Sequence, residues 1–129
     1  MCETNCEACA TTSSDRPGSD DTMRSAMVLK TSYFSLTFIP SQAPHAPGVY
    51  SIYRNTPIND EVQIYVGEAE DIASALLDHY YGKTAQASCI WEDHPTHFGY
   101  HVVWGGEQAR REKASRLREL LDPICNRTR

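Results

Sequence analysis

Gly48-Val49-Tyr50-Ser51-Ile52-Tyr53-Arg54 and Val62-Gln63-Ile64-Tyr65-Val66-Gly67 decide how this chain is read. Both are short runs rich in aromatic and β-branched residues, which suit a pleated, half-buried backbone. Between them Asn55-Thr56-Pro57-Ile58-Asn59-Asp60 is a run of turn formers, so the pair reads as a β-hairpin with a long loop. In the first strand Val49, Ser51 and Tyr53 share one face, and Tyr50, Ile52 and Arg54 share the other. In the second, Ile64 and Val66 oppose Tyr65.

A helix comes after the hairpin. Residues 68–81 place Ile72, Ala75, Leu76 and His79 at helical spacing, with Gly82 as a stop. Residues 83–96 are irregular, anchored by Trp91. Residues 97–104 alternate as a half-buried strand, with Phe98, Tyr100, Val102 and Trp104 on one face. Residues 106–122 form a last helix with Leu117, Leu120 and Leu121 at core spacing, ending before Pro123. The order predicts a small α/β sandwich, a mostly antiparallel three-stranded sheet flanked by helices. Upstream, residues 27–39 are a strand or covering segment, and residues 40–47, with three prolines, are a stiff connector. Residues 1–26 hold almost no large apolar side chain and cannot offset ordering entropy, so they read as a disordered tail before a domain at 27–129.

Composition narrows the class. At 129 residues, 40% hydrophobic and 22% charged, the chain is an ordinary single globular domain. A formal charge of −5 argues against a dedicated nucleic-acid coat. The charge is uneven: residues 1–85 hold five Lys/Arg against eleven Asp/Glu, residues 86–129 seven against six. A phosphate backbone would therefore meet the C-terminal third. No membrane span and no signal peptide are visible, and the five cysteines do not read as a disulfide framework, so a cytoplasmic setting is expected. Cys2, Cys6 and Cys9 copy the spacing of a three-cysteine iron–sulfur motif. The chain is too short for the barrel such enzymes need, and the thiols read as adventitious. His94, His97 and His101 have no defensible ligand geometry, and the last two read as a solvent-facing pair.

The triplets Gly48-Val49-Tyr50 and Tyr65-Val66-Gly67, with Asp71-Ile72 through Leu76 to His79 and Leu117 through Pro123 to Asn126, resemble the GIY-YIG nuclease family in order and spacing. The resemblance spans residues 47–126. It implies phosphodiester hydrolysis with Tyr50 and Tyr65 near the attacking water and His79 beside them. It also implies that Gly67 gives the backbone room and that Asn126 closes the domain. The family's phosphate-binding arginine falls on Ala75 and its metal-binding glutamate on Ala114. Glu112, the nearest carboxylate, is about 200° away around a helix. Arg110, Arg111 and Arg118 flank position 114 instead, an arrangement that repels Mg²⁺ and invites a phosphate.

Losing one transition-state arginine costs about 10³–10⁵ in phosphoryl transfer. The implied function is thus a domain that engages nucleic acid through a degenerate, weak or inactive site. No cofactor is expected, Mg or Mn entering only if the site is rearranged. One alternative is an active metal-dependent endonuclease whose Arg and Glu have moved, with Lys83, Arg54 or Glu112 as replacements. Another is a protein-interaction module that reuses the fold, which the acidic charge favours.

Overall fold

The computed structural model describes residues 29–55 and 61–127. The tail assigned to residues 1–26 and its three cysteines lie outside them. In chain order the elements are β1 (Lys30–Tyr33), α1 (Phe38–Gln42), β2 (Gly48–Arg54), β3 (Val62–Ala69), α2 (Ile72–Tyr80), α3 (Ala87–Glu92), β4 (His97–Val102), α4 (Gly106–Leu121) and a 3₁₀ turn (Ile124–Asn126).

Among the described residues the sheet has four strands, not three, in the order β1-β4-β2-β3, and each of these pairings is antiparallel. The extra strand is β1, within the 27–39 stretch expected to be a strand or a covering segment, and it joins the sheet at the edge of β4. Three of its four residues, Lys-Thr-Ser-Tyr, are exposed, so no apolar pattern marked it as part of the sheet. Part of the expected connector is helical as well. Pro40 lies in the first turn of α1, where the N–H it lacks would have had no partner within the helix.

The hairpin forms with Gly48 opposite Ala69 and Tyr50 opposite Gly67. Its register shifts between Ile52 and Tyr53, which pair with Tyr65 and Gln63 and leave Ile64 as an added residue. This bulge separates Ile64 from Val66, which the alternation had put on one face. Ile64 packs with Tyr50, Ile52 and Phe98 beneath Ile39, Ile72, Leu76 and Ile90. Val66 packs with Val49, Ala114 and Leu117, joined by Leu29 and Leu121. The sheet is thereby buried on both sides, with α2 serving one and α4 the other.

The expected helix over 68–81 begins later. Glu68 and Ala69 still belong to β3, and α2 starts at Ile72 behind Asp71, whose side chain accepts from the Ser74 amide at 3.0 Å. The next two free amides, of Ile72 and Ala73, donate to the carbonyls of Ala46 and Pro44. The connector thus fixes where α2 enters. Gly82 ends the run with φ of 79°, a backbone region that suits glycine. Trp91 does act as an anchor, its ring packing against Phe34 and Tyr80 at 5.6 and 5.2 Å, and it belongs to the unexpected helix α3. Trp104 lies beyond β4 and is exposed.

Candidate active site

Tyr50 and Tyr65 project from the same face of the hairpin, their ring centres 6.2 Å apart. Residues 50 and 67 are cross-strand partners and residue 65 is two positions from 67, so the pleat aims all three together. Gly67 is needed for this. A Cβ there would lie 2.6 Å from the Tyr50 hydroxyl and 2.9 Å from the Tyr65 ring. Gly48 has a separate role, since a Cβ at that position would run into the carbonyl of His101 on β4.

His79 reaches the pair from the buried side of α2. Its Nε2 is 2.8 Å from the Tyr50 hydroxyl and its Nδ1 is 2.7 Å from the Thr84 hydroxyl. The ring also meets Tyr65 edge-on at 5.0 Å. Burial lowers the His79 pKa to about 4, with Asp78 opposing weakly. The ring is therefore neutral near pH 7, with one nitrogen donating and the other accepting. Thr84, His79 and Tyr50 form a one-way hydrogen-bond relay as a result. Burial, then the neighbouring Tyr65 and Glu68, push the Tyr50 phenol far above its ordinary range, so it stays protonated. Burial raises Tyr65 as well, against the pull of Arg118.

Arg118 is the one arginine of the expected trio that stands at the tyrosines. It projects from α4, donates weakly from Nε to the Val66 carbonyl at 3.4 Å, and is felt electrostatically by both hydroxyls. Arg110 is instead buried, its Nε 2.9 Å from Glu68 Oε1. Arg111 pairs with Glu107 in solvent. Helical spacing alone could not separate these, because Arg110 and Arg118 flank Ala114 symmetrically. The edge position of β3 separates them: past that edge a long side chain reaches the Val66 carbonyl. Asn126 meets the same residue, accepting from the Val66 amide at 2.6 Å and donating to its carbonyl at 3.0 Å.

The two alanine positions differ from each other. Ala75 packs against the cluster that contains Tyr50 and Tyr65. Ala114 does not face the tyrosines; it is 0% exposed and packs with Val49 and Val66 on the opposite side of the sheet. Among the suggested replacements, Arg54 donates to the Asp93 carbonyl, Lys83 lies over the Tyr81 ring, and Glu112 is exposed and accepts from Gln108. His94 has positive φ, while His97 is half-buried against the rings of Tyr33 and Tyr53, so it is not a solvent-facing residue. Sequence reasoning missed Thr84 and Glu68. The signal for Thr84 was a hydroxyl five residues past His79, just beyond the Gly82 turn.

The fold is similar to that of solved structures of the GIY-YIG N-terminal endonuclease domain of UvrC from Thermotoga maritima. With its catalytic divalent cation, magnesium, that domain is 26% identical over 70% of this chain and 93% of its own, with a TM-score of 0.54. This chain has the GIY-YIG fold. An Asn-to-Ala point variant of the UvrC domain matches at 26% identity over 72% and 93% of the two chains, TM-score 0.54. A Tyr-to-Phe variant matches at 26% over 70% and 96%, TM-score 0.53. Both variants carry the catalytic divalent cation. No protein-family model and no curated protein matches the sequence.

A GIY-YIG site of the UvrC kind holds a divalent cation, and Mg²⁺ wants carboxylate oxygens beside substrate phosphates. The acidic side chains felt by the Tyr50 hydroxyl are Glu68, already committed to Arg110, and Asp78, on the exposed side of α2. With position 114 an alanine inside an apolar cluster, this donor set does not suit the ion. The arrangement can still donate a hydrogen bond from the Tyr65 phenol, with Tyr50 buried behind it, and offer one guanidinium, which are contacts a phosphate oxygen takes. No described helix is long and apolar enough to cross a membrane.

Proposed function

We propose that this GIY-YIG domain binds nucleic acid along the β3 edge and hydrolyses it very slowly or not at all. The observation that carries the reading is the asymmetry of the site. Tyr65 and Arg118 stand at the edge with Tyr50 and His79 buried behind them, while the positions that match the family's arginine and glutamate are Ala75 and Ala114. Tyr65, backed by Tyr50 and the neutral His79, can position a water or a phosphate. Nothing at positions 75 and 114 offsets charge growing on the phosphorus oxygens or the leaving group, a service that dominates such reactions. Arg118 supplies one cation for a backbone phosphate. Asn126 holds the strand on which Tyr65 and Gly67 sit, as a positioning residue rather than a contact.

A cytoplasmic setting goes with this reading but no longer draws on cysteine usage, since Cys89 and Cys125 are bridged. The test is a salt titration of the full chain on a short fluorescent duplex. Non-specific affinity in the range of roughly 10⁻⁴–10⁻⁶ M should fall linearly on a log–log plot as salt rises, and Arg118→Ala should flatten the slope by about one phosphate. Binding that ignores salt would replace this reading with the protein-interaction module.

A second reading, an active endonuclease with moved charges, has one observation in its favour. Arg118 and Glu68 both influence the tyrosine hydroxyls and would be the replacement arginine and carboxylate. The 2.9 Å bond from Arg110 to Glu68 counts against it, because that carboxylate is already neutralised.

A further inference from the structure

Cys89 and Cys125 are joined by a disulfide with an S–S distance of 2.06 Å, which overturns the expectation that the cysteines form no bridge. Thirty-six residues separate the two, so no local spacing could have paired them. The bridge joins two elements that each serve the tyrosine site. Cys89 sits on α3, beside the fully buried Ile90, and the turn leading into α3 carries Thr84, the partner of His79. Cys125 is the middle residue of the 3₁₀ turn, next to Asn126.

That turn has little of its own to hold it. Its backbone bonds, Asn126 to Pro123 and Arg127 to Ile124, are long at 3.3 and 3.4 Å, as short 3₁₀ segments tend to be. The ion pair of Arg127 with Asp122 is exposed, and such pairs contribute little. Pro123 is buried and fixes the start of the turn; the bridge to α3 fixes its middle. Asn126 then comes directly, with both of its side-chain bonds on Val66, between Tyr65 and Gly67.

We propose that Cys89–Cys125 is a thiol–disulfide site, opened by a dithiol reductant, and that opening it frees Asn126 from Val66 and weakens nucleic-acid binding at the β3 edge. The last step rests on the function proposed above. In the reaction, one thiolate of the dithiol attacks a bridge sulfur, forming a mixed disulfide and releasing the other cysteine as thiolate. The second thiolate of the reductant then closes its own disulfide and releases the first cysteine. Two electrons pass to the protein, and two protons convert its thiolates to thiols. The Asp93 carboxylate lies within 4.8 Å of both sulfurs.

The test uses the full chain with Cys2→Ser, Cys6→Ser and Cys9→Ser, so that tail thiols cannot reshuffle the bridge. Oxidised protein, dithiol-reduced protein and a Cys89→Ser form are compared by amide hydrogen exchange. The Val66 amide should exchange about tenfold faster in the reduced and Cys89→Ser forms, with the central-strand amide of Ile52 unchanged. Equal Val66 protection in all forms, or equal acceleration of Ile52, would overturn the proposal. Duplex affinity, measured in parallel, should drop about fivefold on reduction. Affinity that stays the same while Val66 loosens would overturn the coupling. A loosened Val66 with no duplex binding in any form would leave the clamp standing and overturn the binding function.

Discussion

On one face of the sheet Tyr50, His79 and Thr84 thread a polar relay through a core of Ile39, Ile52, Ile72 and Leu76. On the other, Ala114 packs with Val49, Val66 and Leu117 as a plain apolar cluster. The two faces teach different things. A buried phenol and imidazole must be desolvated and contribute only modest net stability once bonded, so packing alone gives little reason for the relay. The Ala114 cluster itself is apolar, although the buried Arg110 pairs with Glu68 one helical turn away. On the function proposed above, the groups that would handle protons lie in the polar face, while position 114 lies in the apolar one.

Four changes would break or sharpen that contrast. The largest effect is expected from Ala114→Glu. A carboxylate at a fully buried position among valines and a leucine should cost about 2–4 kcal/mol in urea denaturation. A variant that kept its stability and gained Mg²⁺ affinity by calorimetry would show that position 114 opens onto the tyrosines after all.

Next in size is the acid response of His79. An unfolded chain protonates this ring near pH 6.5 and the folded chain only near 4, so protons favour the unfolded state in between. Stability from the neutral ring is complete above pH 6.5, falls as pH drops towards 4 and is gone below, a loss of up to roughly 3 kcal/mol. His79→Gln should flatten that part of a stability–pH curve. An unchanged slope would mean that the ring is not held neutral.

Gly67→Ala should cost about 1–2 kcal/mol, because its methyl group would press on the Tyr50 hydroxyl and the Tyr65 ring. The same variant should shift the ring resonances of both tyrosines. A neutral substitution would imply that the two rings are not packed over this glycine. Smallest is Thr84→Val, at about 1 kcal/mol for a buried imidazole nitrogen left without its hydroxyl. No change there would cut Thr84 from the relay.

Much of this was legible in the sequence, for identifiable reasons. The hairpin, β4 and α4 carry strong periodicity bounded by glycine or proline, and α4 ends at Leu121, one residue before the expected end. Tyr50, Tyr65 and Gly67 meet at one end of the hairpin, and Asn126 bonds the strand between the last two. What failed had no local signal. The pairing of the mostly exposed β1 with β4 is non-local, the Ile64 bulge is a matter of pairing rather than composition, and the Cys89–Cys125 bridge is non-local too. The placement of Ala114 beneath the sheet and of Arg118 at its edge depends on how α4 is rotated, which periodicity fixes only to a face.

The most direct measurement is cleavage of an end-labelled duplex with excess Mg²⁺ or Mn²⁺ under single-turnover conditions. A site without its charge-handling half should bind duplex yet show no metal-dependent cleavage above background, and Tyr50→Phe should behave the same way. Robust metal-dependent cleavage that Tyr50→Phe abolishes and Glu68→Gln impairs would contradict this and establish a working endonuclease with moved charges.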